Sequence, residues 1–312
     1  MLLNQEVYRL EKCVADFVSF EAGRHSPGLA YNKILSMIHE LCFNTGLLEG
    51  RTPKENIMKI IAPAREIQGR SSFIKRMQTW PRGYPGDFET IEYLLRCENR
   101  TPPGTTEFYS EEYTLRSPPP QQHRNKVREQ AREILFLTRR NNRARIMSLG
   151  CGSCPDIALA LPFLTPGETQ FFLVDLDPDA LKFSRRRLRE IESRCHFANA
   201  NIVKAAGQFP GTTFDLIIIG GVFDYLPDTL IVKILRDLAA KKMAPGGKIF
   251  FTNISRDNPY RYWMNYFVNW EINERGRKEL LALCARAKLP GEKVSIRKDL
   301  TGLTHLVEYR AD

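Results

Sequence analysis

From about residue 145 onward, short apolar runs alternate with helical stretches, and this alternation constrains the fold more than any other feature of the chain. The runs at 146–149, 171–174, 216–219 and 248–251 read as buried strands, and the stretches at 155–163, 178–192 and 228–243 between them read as helices. Strands separated by helices pair in parallel, so the pattern predicts an α/β sheet with helices on both faces. The last stretch differs. Residues 293–297 and 304–309 flank a short turn at Thr301 and Gly302, which predicts an antiparallel hairpin closing an otherwise parallel sheet.

The preceding residues carry a helical period instead. Leu10, Cys13, Val14, Phe17 and Val18 recur at helical spacing, as do Ala30, Ile34, Ile38, Leu41 and Cys42. Thr52 is expected to cap the next helix, with Pro53 in its first turn and Glu55 as the capping-box carboxylate. Ile57, Ile60, Ile61 and Ile67 continue it, Pro63 is expected to kink it, and Gly69 to end it. A breaker-rich run follows, Trp80-Pro81-Arg82-Gly83-Tyr84-Pro85-Gly86-Asp87, and Ser117-Pro118-Pro119-Pro120 closes the region. A further helix is expected after it, with Val127, Ala131, Ile134 and Leu135 facing inward. The expected division is an all-helical domain at 1–116, with a lid-like segment at 80–116, and an α/β domain at 117–312; 312 residues suit two domains.

Composition removes several classes. With 43% hydrophobic and 26% charged residues the chain is neither disordered nor collagen-like. No apolar run approaches the roughly 18 residues of a membrane span, so none is expected. The start at Met1 lacks a basic stretch followed by an apolar core, so no secretory leader is expected. Seven cysteines, an odd number over this length, read as reduced thiols and point to the cytoplasm. The net charge of +10 includes clusters at Arg139, Arg140, Arg143 and Arg145 and at Arg185, Arg186, Arg187 and Arg189. Both read as solvated helix faces, with RNA as the competing partner. His25, His39, His123 and His305 are scattered without ligand spacing, and no metal is expected.

The chemistry-bearing motif is Leu149-Gly150-Cys151-Gly152-Ser153-Cys154-Pro155-Asp156, directly after the first strand. Two glycines one apart let the backbone turn sharply and approach a ligand. Asp175, with Leu176 beside it, ends the next strand 23 residues beyond Gly152, where a carboxylate can accept hydrogen bonds from both hydroxyls of a ribose. A dinucleotide and S-adenosylmethionine both fit that pairing. Two beyond Gly152 stands Cys154 and then Pro155, with no third glycine as the dinucleotide pattern has, which favours a ligand without a pyrophosphate. The same residues spell a C-x-x-C at Cys151 and Cys154, which leaves a redox or metal role as a minor alternative.

On these motifs, residues 118–312 resemble a class I S-adenosylmethionine-dependent methyltransferase. The resemblance implies a Rossmann-like seven-stranded sheet with an antiparallel C-terminal hairpin, and S-adenosylmethionine as cofactor. It casts Gly150, Cys151 and Gly152 as the cofactor loop, Asp175 as the ribose acid, and Asn201 and Ile202 as adenine contacts. Residues 214–222, with Gly220, look like the family's fourth strand, and Pro245-Gly246-Gly247 like the turn before its fifth. The 80–87 run, Gly221-Val222-Phe223-Asp224-Tyr225-Leu226-Pro227 and Asn258-Pro259-Tyr260-Arg261 further resemble bacterial proteins named for 3-hydroxypalmitic acid methyl ester biosynthesis.

Ligands of open α/β sheets bind outside the carboxyl ends of the strands. Asp224 and Tyr225, after the fourth strand, are therefore the first candidates for a catalytic base or substrate anchor. Tyr84, Asp87, Phe223, Asn253 and Tyr262 are candidates for substrate contact, and an acid pair at 87 and 224 would suit a cationic acceptor. The expected function is methylation of a small amino or guanidino metabolite. Alternatives are O-methylation of a carboxylate, an RNA methyltransferase, and a non-catalytic cofactor-binding module. A homodimer is compatible with the sequence, as is a monomer.

Overall fold

The computed structural model describes residues 2–164 and 167–312; Met1, Thr165 and Pro166 lie outside the described residues. The chain forms two compact units, Met1–Gln121 with Pro259–Glu271, and Gln122–Asn258 with Ile272–Asp312. A segment embedded in the second half of the sequence thus belongs to the first unit.

The first unit is helical: α1 Leu2–Ser19, α2 Pro27–Leu48, α3 Lys54–Gln68, α4 Ser72–Thr79, α5 Phe88–Arg96 and α6 Thr106–Arg116, with a π turn at Trp263–Phe267. Leu10, Val14 and Phe17 of α1 and Ala30, Ile34, Ile38 and Leu41 of α2 are buried, as their spacing predicts. α3 departs from expectation at its start. Pro53 itself is the N-cap, without a side-chain bond, and the helix runs through Pro63 as one element. Glu111 of α6 is fully buried, yet its carboxylate accepts hydrogen bonds from Ser71, Tyr93, Thr101 and the Arg100 amide. Burial of that charge is tolerable because its acceptor sites are filled.

The second unit takes most of α7, Pro118–Thr138, and then β1 Arg145–Leu149, α8 Pro155–Ala160, β2 Gln170–Asp175, α9 Pro178–Arg187, β3 Cys195–Asn199, β4 Phe214–Ile219, α10 Asp228–Lys241, β5 Met243–Ile254, α11 Arg277–Arg286, β6 Val294–Lys298 and β7 Thr304–Arg310. The seven strands lie in the order β3-β2-β1-β4-β5-β7-β6. The pairs through β5 are parallel, and β7 runs antiparallel to both neighbours, so the α/β sheet with an antiparallel C-terminal hairpin is as the sequence predicts. β3 supplies the seventh strand that the resemblance implies but the apolar spacing does not mark: Cys195-His196-Phe197-Ala198-Asn199 is a half-exposed strand at the sheet edge, without the apolar run that marks the others.

Both sheet faces are covered. Met147, Leu149, Ile217, Ile219 and Phe251 pack with Ile231 and Leu235 of α10 and Leu280 and Cys284 of α11. Ile146, Phe171, Leu173, Ile218 and Phe250 pack with Ala131 and Ile134 of α7 and Ile157 of α8. The chain reverses its direction of winding between β1 and β4, and the crevice at that switch point lies outside the carboxyl ends of the strands. No helix among the described residues is long and apolar enough to cross a membrane.

Candidate functional site

At the carboxyl end of β1 the chain turns through Gly150 (φ 63°) and Gly152 (φ 54°), conformations that side chains with a β-carbon rarely adopt. The turn is tied to β2: the amides of Gly150 and Cys151 both donate to the Val174 carbonyl, at 2.8 and 3.1 Å. The Gly152 amide donates to Asp175 Oδ2 at 2.7 Å, and the Asp177 amide to Asp175 Oδ1 at 2.9 Å. A β-carbon at 150 would collide with Val222, so this glycine also permits the loop after β4 to pack closely.

Asp175 is therefore fixed at the switch point by two backbone amides. A carboxylate offers about four acceptor sites, so roughly two remain for hydroxyl donors. Burial raises its carboxyl above the usual range, against backbone hydrogen bonds from Asp177, Gly152 and Leu176 that lower it. Leu176, beside it, is 65% exposed, an apolar side chain open to a planar ring. Asn201 caps a 3-10 turn at Ile202–Gly207 by accepting from the Val203 amide at 2.9 Å, and Ile202 rests half-buried on the core. The donor set fits a nucleoside-bearing cofactor: a tight glycine turn, an oriented acid and adjacent apolar surface.

The C-x-x-C pair is buried in the same turn. Hydrogen bonding to Cys154 and burial push the Cys151 thiol well up, the reverse of what a reactive thiol needs. All seven cysteines are free, and among the described residues no three His, Cys, Asp or Glu side chains come together as a metal group would require.

The loop after β4 places the acceptor candidates. Gly220 is covered by the Gln130 side chain of α7, which occupies the space a β-carbon would need. A 3-10 turn at Val222–Tyr225 then sends successive side chains in different directions. Phe223 turns fully inward, edge to face with Phe251 at 5.2 Å, so its expected contact with substrate gives way to a place in the core. Tyr225 is 37% exposed. Asp224 is buried, with Oδ1 accepting from the Ile254 amide at 2.7 Å and Oδ2 3.8 Å from Lys126 Nζ of α7. Burial raises its carboxyl to about 6, held from rising further by Lys126, the Ile254 amide and Arg275.

Two charged residues that the sequence reading did not single out organise this loop. Lys126 is buried, and burial lowers its pKa while Asp224 and Asp299 oppose that shift. Arg275 is also buried. Its guanidinium donates to the carbonyls of Phe223 (2.9 Å) and Leu226 (2.7 Å), to Asn253 Oδ1 (2.7 Å) and to Asp228 (2.9 Å). Asn253 donates in turn to the Asn273 carbonyl at 2.9 Å, so its amide is spent holding Arg275 and the 273 backbone rather than open to substrate.

The remaining candidates lie in the first unit. Asp87 is buried as the N-cap of α5. Its Oδ1 accepts from the amides of Glu89 and Thr90 and pairs with Arg76 at 2.6 Å, and its Oδ2 accepts from Thr90 Oγ1. This carboxylate is fully engaged inside its own unit. Trp80, Pro85 and Asp87 share a narrow cleft with Val268 and Trp270 of the same unit, and Tyr84 is two-fifths exposed. Tyr262 lies over Gly46 of α2.

Residues 147–249 match the family described as "Methyltransferase domain". A curated relative, the rRNA N(6)-adenosine-methyltransferase metl-5 of Caenorhabditis elegans, is 27% identical over 118 residues, 37% of this chain; the chain spans about half, 54%, of that protein. The fold is shared with a Bordetella parapertussis protein described as a "possible exported protein", at a TM-score of 0.63 and 17% identity, covering 92% of this chain and 99% of the other. The N-methyltransferase NodS of Bradyrhizobium japonicum, solved with S-adenosyl-L-homocysteine, aligns at a TM-score of 0.44 and 17% identity over 72% of this chain and 97% of its own.

Proposed function

We propose, from the premise that residues 147–249 form an S-adenosylmethionine-dependent methyltransferase domain, that the chain methylates a small molecule. The acceptor is an amino or guanidino nitrogen of an amino-acid-like compound. Asp224 carries the reading: it sits at the carboxyl end of β4, fixed through Oδ1, with Oδ2 beyond hydrogen-bond reach of Lys126. A carboxyl raised to about 6 is ionised at neutral pH and still basic enough to take a proton from a nitrogen nucleophile.

When bound, S-adenosylmethionine supplies a methyl group on an already electrophilic sulfonium. Gly150, Cys151, Gly152, Asp175, Leu176, Asn201 and Ile202 are the residues that would hold it. The chain's task is alignment, which can account for roughly 7–11 kcal/mol of barrier in favourable cases. Asp224 receives the proton released by nitrogen, and the exposed Tyr225 beside it anchors the acceptor.

A second reading has one observation in its favour, the likeness to an rRNA N(6)-adenosine methyltransferase. It also makes nitrogen the acceptor, but on a polyanion. Transfer of labelled methyl to a panel of amino acids, guanidines, hydroxy-fatty acids and purified rRNA separates the outcomes. Label in amino or guanidino compounds, lost in Asp224→Asn, is expected. Label in RNA, with activity falling steeply with salt, would establish the second reading. Label only in lipid esters, insensitive to Asp224→Asn, would point to carboxylate O-methylation, because a carboxylate needs no proton acceptor.

A further inference from the structure

α2 presents two faces. Ala30, Ile34, Ile38 and Leu41 enter the core of the helical unit, whereas His39, Phe43, Gly46 and Leu47 recur at the same spacing along another side. That second side lines a cavity of about 410 Å³, whose opposite walls include Tyr113 of α6 and Tyr260, Tyr262 and Trp263. All of these residues belong to the first unit.

Gly46 explains how the cavity is kept. Glycine is a poor residue in the interior of a helix, so its presence there calls for a local reason. A β-carbon at 46 would lie 2.7 Å from the Tyr262 ring, so the glycine lets that ring lie against the helix backbone as a wall. The other walls are braced by rings: Tyr113 stands edge to face with Trp263 and with His39, each at 5.6 Å between centroids. No Lys, Arg, Asp or Glu lines the space.

These features select a ligand. The volume falls in the range of small-molecule sites. A charged ligand would lose its hydration without gaining a partner. A flat ring gains edge and face contacts with ring walls beyond its area of burial, which a flexible aliphatic chain does not. Burial pushes the Cys42 thiol at the cavity wall well up, so the site is non-covalent. We infer that this cavity binds an uncharged, planar aromatic small molecule, and the inference does not depend on the methyl-transfer reading.

The test is calorimetry on the intact chain with three probes: 2-naphthol, naphthalene-2-sulfonate and 1-decanol. Saturable uptake of one 2-naphthol per chain is expected, with the sulfonate and the alcohol each at least tenfold weaker. Leu47→Trp, a half-buried position whose larger ring would fill the space, is expected to weaken 2-naphthol at least tenfold. Gly46→Ala should do the same by displacing Tyr262, and Phe43→Ala, at an exposed rim, should weaken it several-fold; circular dichroism verifies that each variant is folded. The proposal is overturned if 2-naphthol is not taken up, if a folded Leu47→Trp or Phe43→Ala binds it unchanged, or if either comparison probe binds as well.

Discussion

Replacing Arg275 by methionine is the most informative perturbation of the second unit, because this one guanidinium ties together the loop that carries Asp224 and Tyr225. It donates at 2.7–2.9 Å to three acceptors, the Phe223 and Leu226 carbonyls and Asn253 Oδ1. Its bond to Asp228 counts for little, because that carboxylate is half exposed and such pairs contribute about 0–1 kcal/mol. Hydrogen bonds from a charged donor contribute roughly 1.5–3 kcal/mol each; at the lower figure the three together give about 4–5 kcal/mol. For a unit of this size that corresponds to a fall of roughly 10 °C in Tm. Urea unfolding followed by circular dichroism should show it. Arg275→Lys should recover only part, since an ammonium cannot reproduce the planar fork that reaches several acceptors at once. A loss below about 1 kcal/mol in Arg275→Met would refute the reasoning that this residue fixes the loop after β4.

Other expectations follow from the same geometry. Asp224 binds its proton more tightly folded than unfolded, from 3.8 to about 6, so its contribution is most favourable below pH 3.8 and falls as pH rises through 6. The loss is at most about 3 kcal/mol from this group. Asp156 carries a similar shift, also to about 6 by burial, and burial raises Asp175 as well, so stability measured against pH should lose only part of that slope in Asp224→Asn; an unchanged slope would show that Asp224 does not titrate as described. Asp87→Ala should cost about 2 kcal/mol, from the lost cap of α5 and the lost bond to Arg76, which keeps Glu89 as its partner, with methyl transfer by the folded remainder unchanged. A raised KM at unaltered stability would instead return Asp87 to a role at the substrate.

Much of this architecture is written in hydrophobic spacing. β2, β4 and β5 each bury an unbroken apolar run and β1 one interrupted only by Ser148, as strands covered on both faces do. β3 escaped because an edge strand buries little: Cys195-His196-Phe197-Ala198-Asn199 has neither a run nor a clean alternation. The glycine turn and Asp175 were legible because both demand particular residue types, a left-handed backbone and an oriented acid. Periodicity shows that a segment is helical but not which core it faces, and this hid the membership of 259–271 in the first unit. Lys126 and Arg275 were hidden for a related reason. Nothing in the identity of a charged residue announces burial, which depends on partners brought from distant positions, Asp224 for one and the 223–228 loop for the other. Phe223 and Asn253 were singled out by position after a strand, and packing then assigned the first to the core and the second to Arg275.

The central claim is that the turn at Gly150 and Gly152, with the acid at 175, receives S-adenosylmethionine. Isothermal titration of S-adenosyl-L-homocysteine into the purified chain, beside a folded Asp175→Ala variant, tests it most directly. One equivalent should bind to the parent chain, and the variant should bind at least tenfold more weakly, since the carboxylate proposed to accept from the ribose hydroxyls is gone. Absence of binding to the parent chain, or equal affinity in the variant, would contradict the account.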